Sequence, residues 1–461
     1  MTVEQIGVVG AGTMGAGIAQ VACLGGFETR LHDPLPRALE QGALRMREGL
    51  RKGAERGRWG ETEAEQAGER LRPCPQLGEL AGCDLLIEAA PEDLELKREL
   101  FTRLAEVCGP GAILATNTSS LSVTAIAAGV PGPERVVGMH FFNPPALMEL
   151  VEVVRGDASA TEALDSTVEA AQRMGRTPVR CRDAIGFVAN RCARPYSLEA
   201  LRLLGAGVAD HATIDRICRL GGGFRMGPFE LTDLVGVDVN FAVAKSFWEQ
   251  SFGVPRWQPH PIQPQMVAAG RLGRKSGRGY YDYSAGPHRP DDEPAPPAAR
   301  EAKPPPARLV DAGAGSLHSL AAGQDAVGWL ALPDLDSASL VELTRTAATS
   351  EASAGAAEAH FRSLGKHVEW VGDAAGLVLG RIVCQLVNEA HFALDAGIAG
   401  AADIDTATRL GLNYPRGPFE WCVAIGPARV LTILGALHVE LGEERYRSAP
   451  ALRRAAAMAG R

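Results

Sequence analysis

Four polar residues of this 461-residue chain stand inside or at the ends of short apolar runs: Ser119, His140, Asn143 and Glu152. Arg135 to His140 reads as a buried strand running into His140-Phe-Phe-Asn143-Pro-Pro, and Leu150-Val-Glu152-Val-Val as another. A carboxylate in a buried strand is costly unless it is paired, and its natural partner is a histidine on a neighbouring strand. An imidazole held by a carboxylate has its tautomer fixed and its basicity raised, which equips it as a general base. Plainer readings stand beside these: His140 as a satisfied core histidine, Glu152 as an acid at a strand end. Asn190, in Gly186-Phe-Val-Ala-Asn190-Arg191, reads equally as a ligand contact or as a helix cap. No nucleophile elbow and no metal-ligand spacing accompanies them, so no metal is expected.

A second constellation lies at the N-terminus. Ile6-Gly-Val-Val9 reads as a buried strand, followed by Gly10, Gly12 and Gly15 in the spacing G-x-G-x-x-G. The first glycine permits the tight turn, the second lets a pyrophosphate approach the backbone, and the third lets the next helix pack on the strand. Thr13 and Met14 lie between the second and third glycines, and a helix from about Met14 to Gly25 offers its free N–H groups to a dianion. A second apolar run ends at Asp33, whose carboxylate suits the adenine ribose hydroxyls and repels a 2′-phosphate. This order of strand, glycines, helix, strand and acid predicts a dinucleotide site with NAD favoured over NADP. Arg30 and Arg37 are the nearby groups that would argue otherwise.

These residues need elements to position them. Strands near Cys83–Glu88, Ala112–Thr116, Arg135–His140, Leu150–Val154 and Pro178–Cys181 alternate with helices near Leu94–Cys108 and Thr161–Met174. That alternation predicts a doubly wound Rossmann-type α/β sheet over residues 1–183. Between Asp33 and about Arg70, a polar helical pair carries Arg45, Arg47, Arg51 and Lys52, a solvated face or a rim for substrate phosphates. From 184 to 283 helical periods dominate, predicting an all-α domain. Residues 284–308 hold eight prolines and read as a semi-rigid linker, and 309–365 as a reduced αβ segment without a phosphate loop. The chain then repeats itself at an offset of 190 residues. Gly376-Leu-Val-Leu-Gly-Arg381 echoes 186–191, Gly417-Pro-Phe-Glu420 echoes 227–230, and thirteen of 25 positions agree between 206–230 and 396–420. Residues 366–461 are therefore expected to be a tandem copy of the helical domain.

Composition bounds the partners. The formal net charge is −8, which leaves no basic footprint for nucleic acid. No apolar stretch is long enough for a membrane span, and the first strand begins too close to Met1 for a signal peptide. Nine scattered cysteines read as reduced thiols, consistent with a cytoplasmic protein.

Taken together, the motifs Asn117-Thr-Ser-Ser-Leu121, His140-Phe-Phe-Asn-Pro144, Leu150-Val-Glu-Val153, Gly186-Phe-Val-Ala-Asn-Arg191, Gly227-Pro-Phe-Glu230 and the run Gly273–Tyr280 resemble the L-3-hydroxyacyl-CoA dehydrogenases. The duplicated second domain is most similar to the phenylacetate-degradation branch, of the 3-hydroxybutyryl- or 3-hydroxyadipyl-CoA type. The resemblance implies NAD-dependent, reversible oxidation of (S)-3-hydroxyacyl-CoA, with His140 as base and Glu152 as its partner. It implies that Ser119 and Asn190 hydrogen-bond the substrate, and that Glu92, Lys97, Ser119 and Asn143 line the nicotinamide half of the cofactor site. Departures fall in the acyl-CoA contacts, where Gly49, Arg56 and Glu149 replace commoner residues. The second copy has Gly380 in place of Asn190, so it is expected to be catalytically silent. The resemblance implies that in shorter relatives the helical domains of two subunits pack together, and hence an intrachain pseudo-dimer here, with a homodimer of whole chains left open. The competing expectations are an L-gulonate dehydrogenase or lambda-crystallin-like enzyme, which needs no CoA groove, and a non-catalytic relative.

Overall fold

The computed structural model describes residues 2–459, which fall into two compact units. One unit runs to Ala189 and takes in Gly397–Gly411; the other comprises Asn190–Ala396 and the chain from Leu412 onward.

The first unit is built on strands β1 (Gln5–Val9), β2 (Glu28–His32), β3 (Leu71–Cys74), β4 (Leu85–Glu88), β5 (Ile113–Thr116), β6 (Val136–Phe141), β7 (Leu150–Arg155) and β8 (Thr177–Arg182). They form one sheet in the order β3-β2-β1-β4-β5-β6-β7-β8, parallel throughout except for the antiparallel pair β6–β7. Its helices are α1 (Thr13–Leu24), α2 (Pro36–Glu55), α3 (Glu61–Glu69), α4 (Leu94–Val107), α5 (Val123–Ala127) and α6 (Thr161–Arg173). The strand order reverses between β1 and β4, the crevice where open α/β sheets bind ligands. Helix α2 shows how the layers close. Leu39, Gly42, Ala43, Met46, Leu50 and Gly53 make one buried stripe, and a Cβ on Gly42 would stand 2.6 Å from the Ala11 carbonyl oxygen, so α2 lies directly against the glycine loop. On its exposed face Arg51 and Lys52 are engaged by Glu48, and Arg51 by Glu55 as well.

The second unit opens with α7 (Ala189–Gly205), whose first residue closes the preceding unit, and continues with α8 (His211–Leu220), α9 (Pro228–Val235), α10 (Val237–Gln250) and α11 (Ile262–Ala268). A four-stranded sheet follows, from β9 (Leu309–Asp311), α12 (Leu317–Ala321), β10 (Val327–Leu330), β11 (Leu340–Thr344), α13 (Glu351–Ser363) and β12 (His367–Val371). The chain ends in α14 (Leu379–Asp395), α15 (Ala401–Leu412, which lies in the first unit up to Gly411), α16 (Pro418–Ile425), α17 (Pro427–Leu441) and α18 (Pro450–Ala459).

The small sheet extends the internal repeat beyond the helical domain. Its order β12-β11-β10-β9, with β10–β11 antiparallel and the outer pairs parallel, reproduces β8-β7-β6-β5. The offset stays at 190: Leu340 answers Leu150, Glu351 answers Thr161 and His367 answers Thr177. The reduced αβ segment is thus a copy of the last four of the eight strands of the large sheet, without the β1–α1 phosphate loop.

The proline-rich stretch 284–308 is fastened to this unit along its length. Arg219 donates two hydrogen bonds of 2.9 Å to Asp292, and His288 and Arg289 meet Glu230 at 2.9 and 2.5 Å. Further on, Ala299 and Lys303 donate to Ser363, each at 2.8 Å. The linker lies as a pinned strap rather than spanning open space. All nine cysteines are buried and none forms a disulfide, and among the described residues no single helix is long and apolar enough to cross a membrane.

Candidate active site

Residues from β1, β2, α1, the loop after β4 and α4 enclose a cavity of about 890 Å³ lined by Gly10, Gly12, Thr13, Met14 and Asp33, among others. Its glycines are forced by geometry. Gly10 has φ +100°, and a Cβ there would lie 2.6 Å from the Ala89 carbonyl oxygen. A Cβ on Gly15 would fall 1.7 Å from the Gly10 carbonyl oxygen, whereas nothing lies within 4 Å of the corresponding point on Gly12. Turn, close packing and an open approach thus fall on the glycines expected for each, and they leave room for a pyrophosphate at the start of α1. The Asp33 carboxylate accepts from Ala11 N–H at 2.9 Å and Leu35 N–H at 3.0 Å, which orients it on the cavity wall with further lone pairs to spare. Arg30 Nη1 donates to the carbonyls of Glu79 and Ala81 at 2.5 and 2.6 Å, which ties the guanidinium to the segment after β3. The residues present fit NAD.

Glu92, Lys97, Ser119 and Asn143 lie outside the lining of that cavity. Lys97 is 1% exposed and pairs with Glu88 at 2.5 Å and Glu92 at 3.4 Å. Glu88, fully buried at the end of β4, also accepts from Thr116 Oγ1 at 2.7 Å and Ala90 N–H at 2.6 Å. Glu92 Oε1 gathers Thr118 Oγ1, the N–H groups of Ser119 and Ser120, and Ser120 Oγ. Burial would push the Glu92 carboxyl up, but the Thr118 hydroxyl, the Lys97 ammonium and the Ser120 and Ser119 donors together hold it below the ordinary carboxylate range. The network ties the loop after β4 to the loop after β5, on which Ser119 is exposed; Asn143, after β6, is exposed as well. Glu88 and Thr116 were not singled out from the sequence. The available signal was a charged residue closing an apolar strand, nine positions before a lysine.

His140 and Glu152 stand directly opposite each other in the β6–β7 ladder. His140 Nδ1 and Glu152 Oε2 are 2.7 Å apart, with both residues buried. Glu152 Oε1 accepts from the N–H groups of Val188 and Ala189 at 3.0 and 2.8 Å. The chain delivers these donors by entering the left-handed region at Gly186 (φ +69°) and again at Phe187 (φ +49°), a strained conformation for a bulky residue. With Nδ1–H given to Glu152, Nε2 keeps its lone pair. Phe142 and Phe187 flank the imidazole, with ring centroids 4.6 and 5.8 Å away. Asn190 lies one residue past the donors, in the first turn of α7 in the second unit, and its carbonyl accepts from Arg194 Nε at 2.9 Å.

The second copy retains half of this arrangement. Leu330 faces Glu342 in the β10–β11 ladder, and Glu342 accepts from the N–H groups of Val378 and Leu379 at 2.7 and 3.0 Å. Gly376 and Leu377 repeat the positive-φ pair, at +66° and +43°. A Cβ on Gly380, at the position of Asn190, would stand 2.7 Å from Leu330 Cδ2. The base is replaced by leucine and the space beside it is filled.

A glycine cradle at the switch point and a carboxylate-held histidine on the same sheet define a dinucleotide-dependent dehydrogenase. The 3-hydroxyacyl-CoA dehydrogenase NAD-binding domain matches residues 5–184, and the C-terminal domain of the same family matches both 186–283 and 376–460. This chain belongs to the 3-hydroxyacyl-CoA dehydrogenase family, and it is an NAD-dependent oxidoreductase. It is 41% identical to the 3-hydroxyadipyl-CoA dehydrogenase of Escherichia coli K12, over 99% of this chain and 98% of that one. It is 42% identical to a probable 3-hydroxybutyryl-CoA dehydrogenase of Bacillus subtilis, which covers 61% of this chain and 98% of its own length. A crystal structure of 3-hydroxybutyryl-CoA dehydrogenase from Escherichia coli K12 superposes with a TM-score of 0.93 at 39% identity, covering 99% of both chains.

Proposed function

We propose that the His140–Glu152 pair performs the proton transfer in the reversible oxidation of a short-chain (S)-3-hydroxyacyl-CoA to the 3-oxoacyl-CoA. The observation that carries this reading is the 2.7 Å bond between His140 Nδ1 and a Glu152 carboxylate already held by two backbone N–H groups. Nε2 takes the 3-hydroxyl proton, Glu152 stabilises the imidazolium that results, and the imidazolium returns the proton to the ketone in reverse. NAD, when bound at the glycine loop, supplies the hydride acceptor. Ser119 and Asn190 are assigned to the substrate oxygens, Gly10, Gly12, Thr13, Met14, Gly15 and Asp33 to the dinucleotide, and Glu92, Lys97, Ser119 and Asn143 to its nicotinamide side. The buried position of Lys97 makes it a holder of Glu88 and Glu92 in this scheme rather than a direct contact.

We further infer that the two helical copies form an intrachain pseudo-dimer. Arg191 pairs with Glu389 at 2.8 Å, and Arg381 pairs with Glu199 at 2.9 Å, which is the same contact made twice with the copies exchanged. Relatives that share the whole length are named for a dicarboxylic and for a four-carbon substrate, and a shorter relative for a four-carbon one. The test is NADH consumption with a panel of 3-oxoacyl-CoA esters, including a six-carbon dicarboxylic member. Turnover of a short member supports the assignment; turnover of a free 3-oxo acid with none of the thioesters contradicts it.

A further inference from the structure

Helix α15 belongs by sequence to the second copy, yet up to Gly411 it is part of the first unit. At the start of this segment the Ile398 carbonyl accepts from Arg182 N–H at 2.8 Å, at the end of β8. At its other end Gly411 lies against the strands that carry the histidine–glutamate pair. A Cβ there would stand 2.6 Å from Leu150 Cδ2 and 3.4 Å from Phe142 Cε1 and Cζ. Leu150 opens the strand of Glu152, and the Phe142 ring sits on the His140 imidazole at 4.6 Å. A continuous packed path therefore runs from the backbone of α15 through one ring to the catalytic base.

The second unit contains the counterpart of this contact. Gly221, 190 residues earlier, follows α8, and a Cβ on it would stand 3.5 Å from Leu340 Cδ2 and 3.2 Å from Leu379 Cδ2. There the position of Phe142 is taken by Leu332 and that of His140 by Leu330, so the path ends on aliphatic side chains. The two glycines hold equivalent places in the repeat, but the nearest atom to a Cβ on Gly221 is the Ile217 carbonyl oxygen at 2.9 Å, and they differ in what lies beyond them.

We propose that Gly411 is a positioning residue for His140: the second copy, silent in chemistry, holds the Phe142 ring against the imidazole of the first and so fixes its orientation toward substrate. The inference rests on the general-base reading of His140. Its physical basis is close packing. A methyl at 411 overlaps Leu150 Cδ2 and meets the Phe142 ring at contact distance, so a larger side chain must displace both, because packed interiors do not absorb added volume without movement.

The experiment compares Gly411→Ala and Gly411→Val with Gly221→Ala in the full chain. It measures kcat, KM, NADH affinity, the pH profile of kcat/KM, and the imidazole titration of His140 by NMR on histidine-labelled protein. Turnover is expected to fall by roughly ten- to a hundredfold in Gly411→Val, the scale of about an ångström of misplacement at a reacting group. NADH affinity should hold and the His140 titration should move. Gly221→Ala should lower thermal stability but leave kcat and that titration at wild-type values. Adding Leu150→Val to Gly411→Ala, which removes the obstructing Cδ2, should restore both. The proposal is overturned if folded Gly411 variants keep wild-type kcat and His140 titration, or if Gly221→Ala loses turnover in parallel. A wild-type protein inactive on every 3-oxoacyl-CoA would defeat the general-base reading, while the imidazole titration would still decide whether Gly411 positions His140.

Discussion

At the residue scale, what His140 can do is set by the group that holds Nδ1. Replacing His140 with alanine removes the proton acceptor but touches no part of the glycine cradle. Turnover should drop by roughly 10²–10⁴-fold, the usual worth of a general base, with NADH affinity unchanged in a fluorescence titration. Glu152→Gln is more instructive. The amide oxygen can still accept from Val188 and Ala189, which leaves the NH₂ group facing Nδ1 and favours the tautomer with the proton on Nε2. A comparable loss of turnover in a variant with normal thermal stability is therefore expected; near-wild-type turnover would remove the dyad from the mechanism. In the proposed scheme Asp33 governs cofactor choice by the same local logic. Asp33→Ala loses the ribose-facing carboxylate and also the bonds to Ala11 and Leu35. NADH should bind more weakly and the preference over NADPH should narrow, and steady-state KM values for the two cofactors check this.

At the scale of elements, the small sheet preserves a carboxylic acid whose partner has gone. Burial pushes the Glu342 carboxyl up to about 8, outweighing the Val378 and Leu379 N–H bonds that favour its anion. Glu369 on β12 opposes the anion further, and on the other side of β11 Leu330 brings no charge. The folded form thus holds a proton that an unfolded glutamate releases near pH 4.5. The resulting stability is fully present below that value and is lost as pH rises through about 8. Burial likewise pushes Asp215, which caps α9, up to about 7, so it acts in the same direction. Melting temperature should fall between pH 6 and 9, and Glu342→Gln should flatten part of that fall; an identical slope in the variant would dismiss the protonated acid. This element also shows what was legible in the sequence. His140 and Glu152 could be paired in advance because a polar residue in each of two short adjacent apolar runs has few other solutions. The repeat was followed upstream only to residue 366, since the small sheet lacks the glycine motif and its sequence has drifted. Leu340-Val-Glu342 nonetheless repeats Leu150-Val-Glu152. The Glu88–Lys97–Glu92 network was hidden for another reason: its members come from β4, the loop after it and α4, and only packing brings them together.

At the scale of the whole molecule, the duplication explains why the chain is long although the chemistry uses its first part. In the second unit a single hydrophobic core draws on both copies, joining Tyr196, Leu201 and Phe229 with Val378, Ile382 and Trp421. The charges Arg191, Glu199, Arg381 and Glu389 are buried in reciprocal pairs between the copies. A fragment ending at Tyr283 would keep Arg191 and Glu199, lose Glu389 and Arg381, leave Glu199 only Arg202 at 3.6 Å, and lose half of the shared core. It would also lose α15 and its contact on Leu150 and Phe142. A relative of about this length matches at 42% identity, and the fragment can cover the exposed face by pairing with a second copy of itself. Light scattering on the purified 1–283 fragment is expected to show dimers or aggregates, with activity rising with protein concentration where dimers form. A stable monomer with full activity would mean that the second copy neither completes the core nor supports the site.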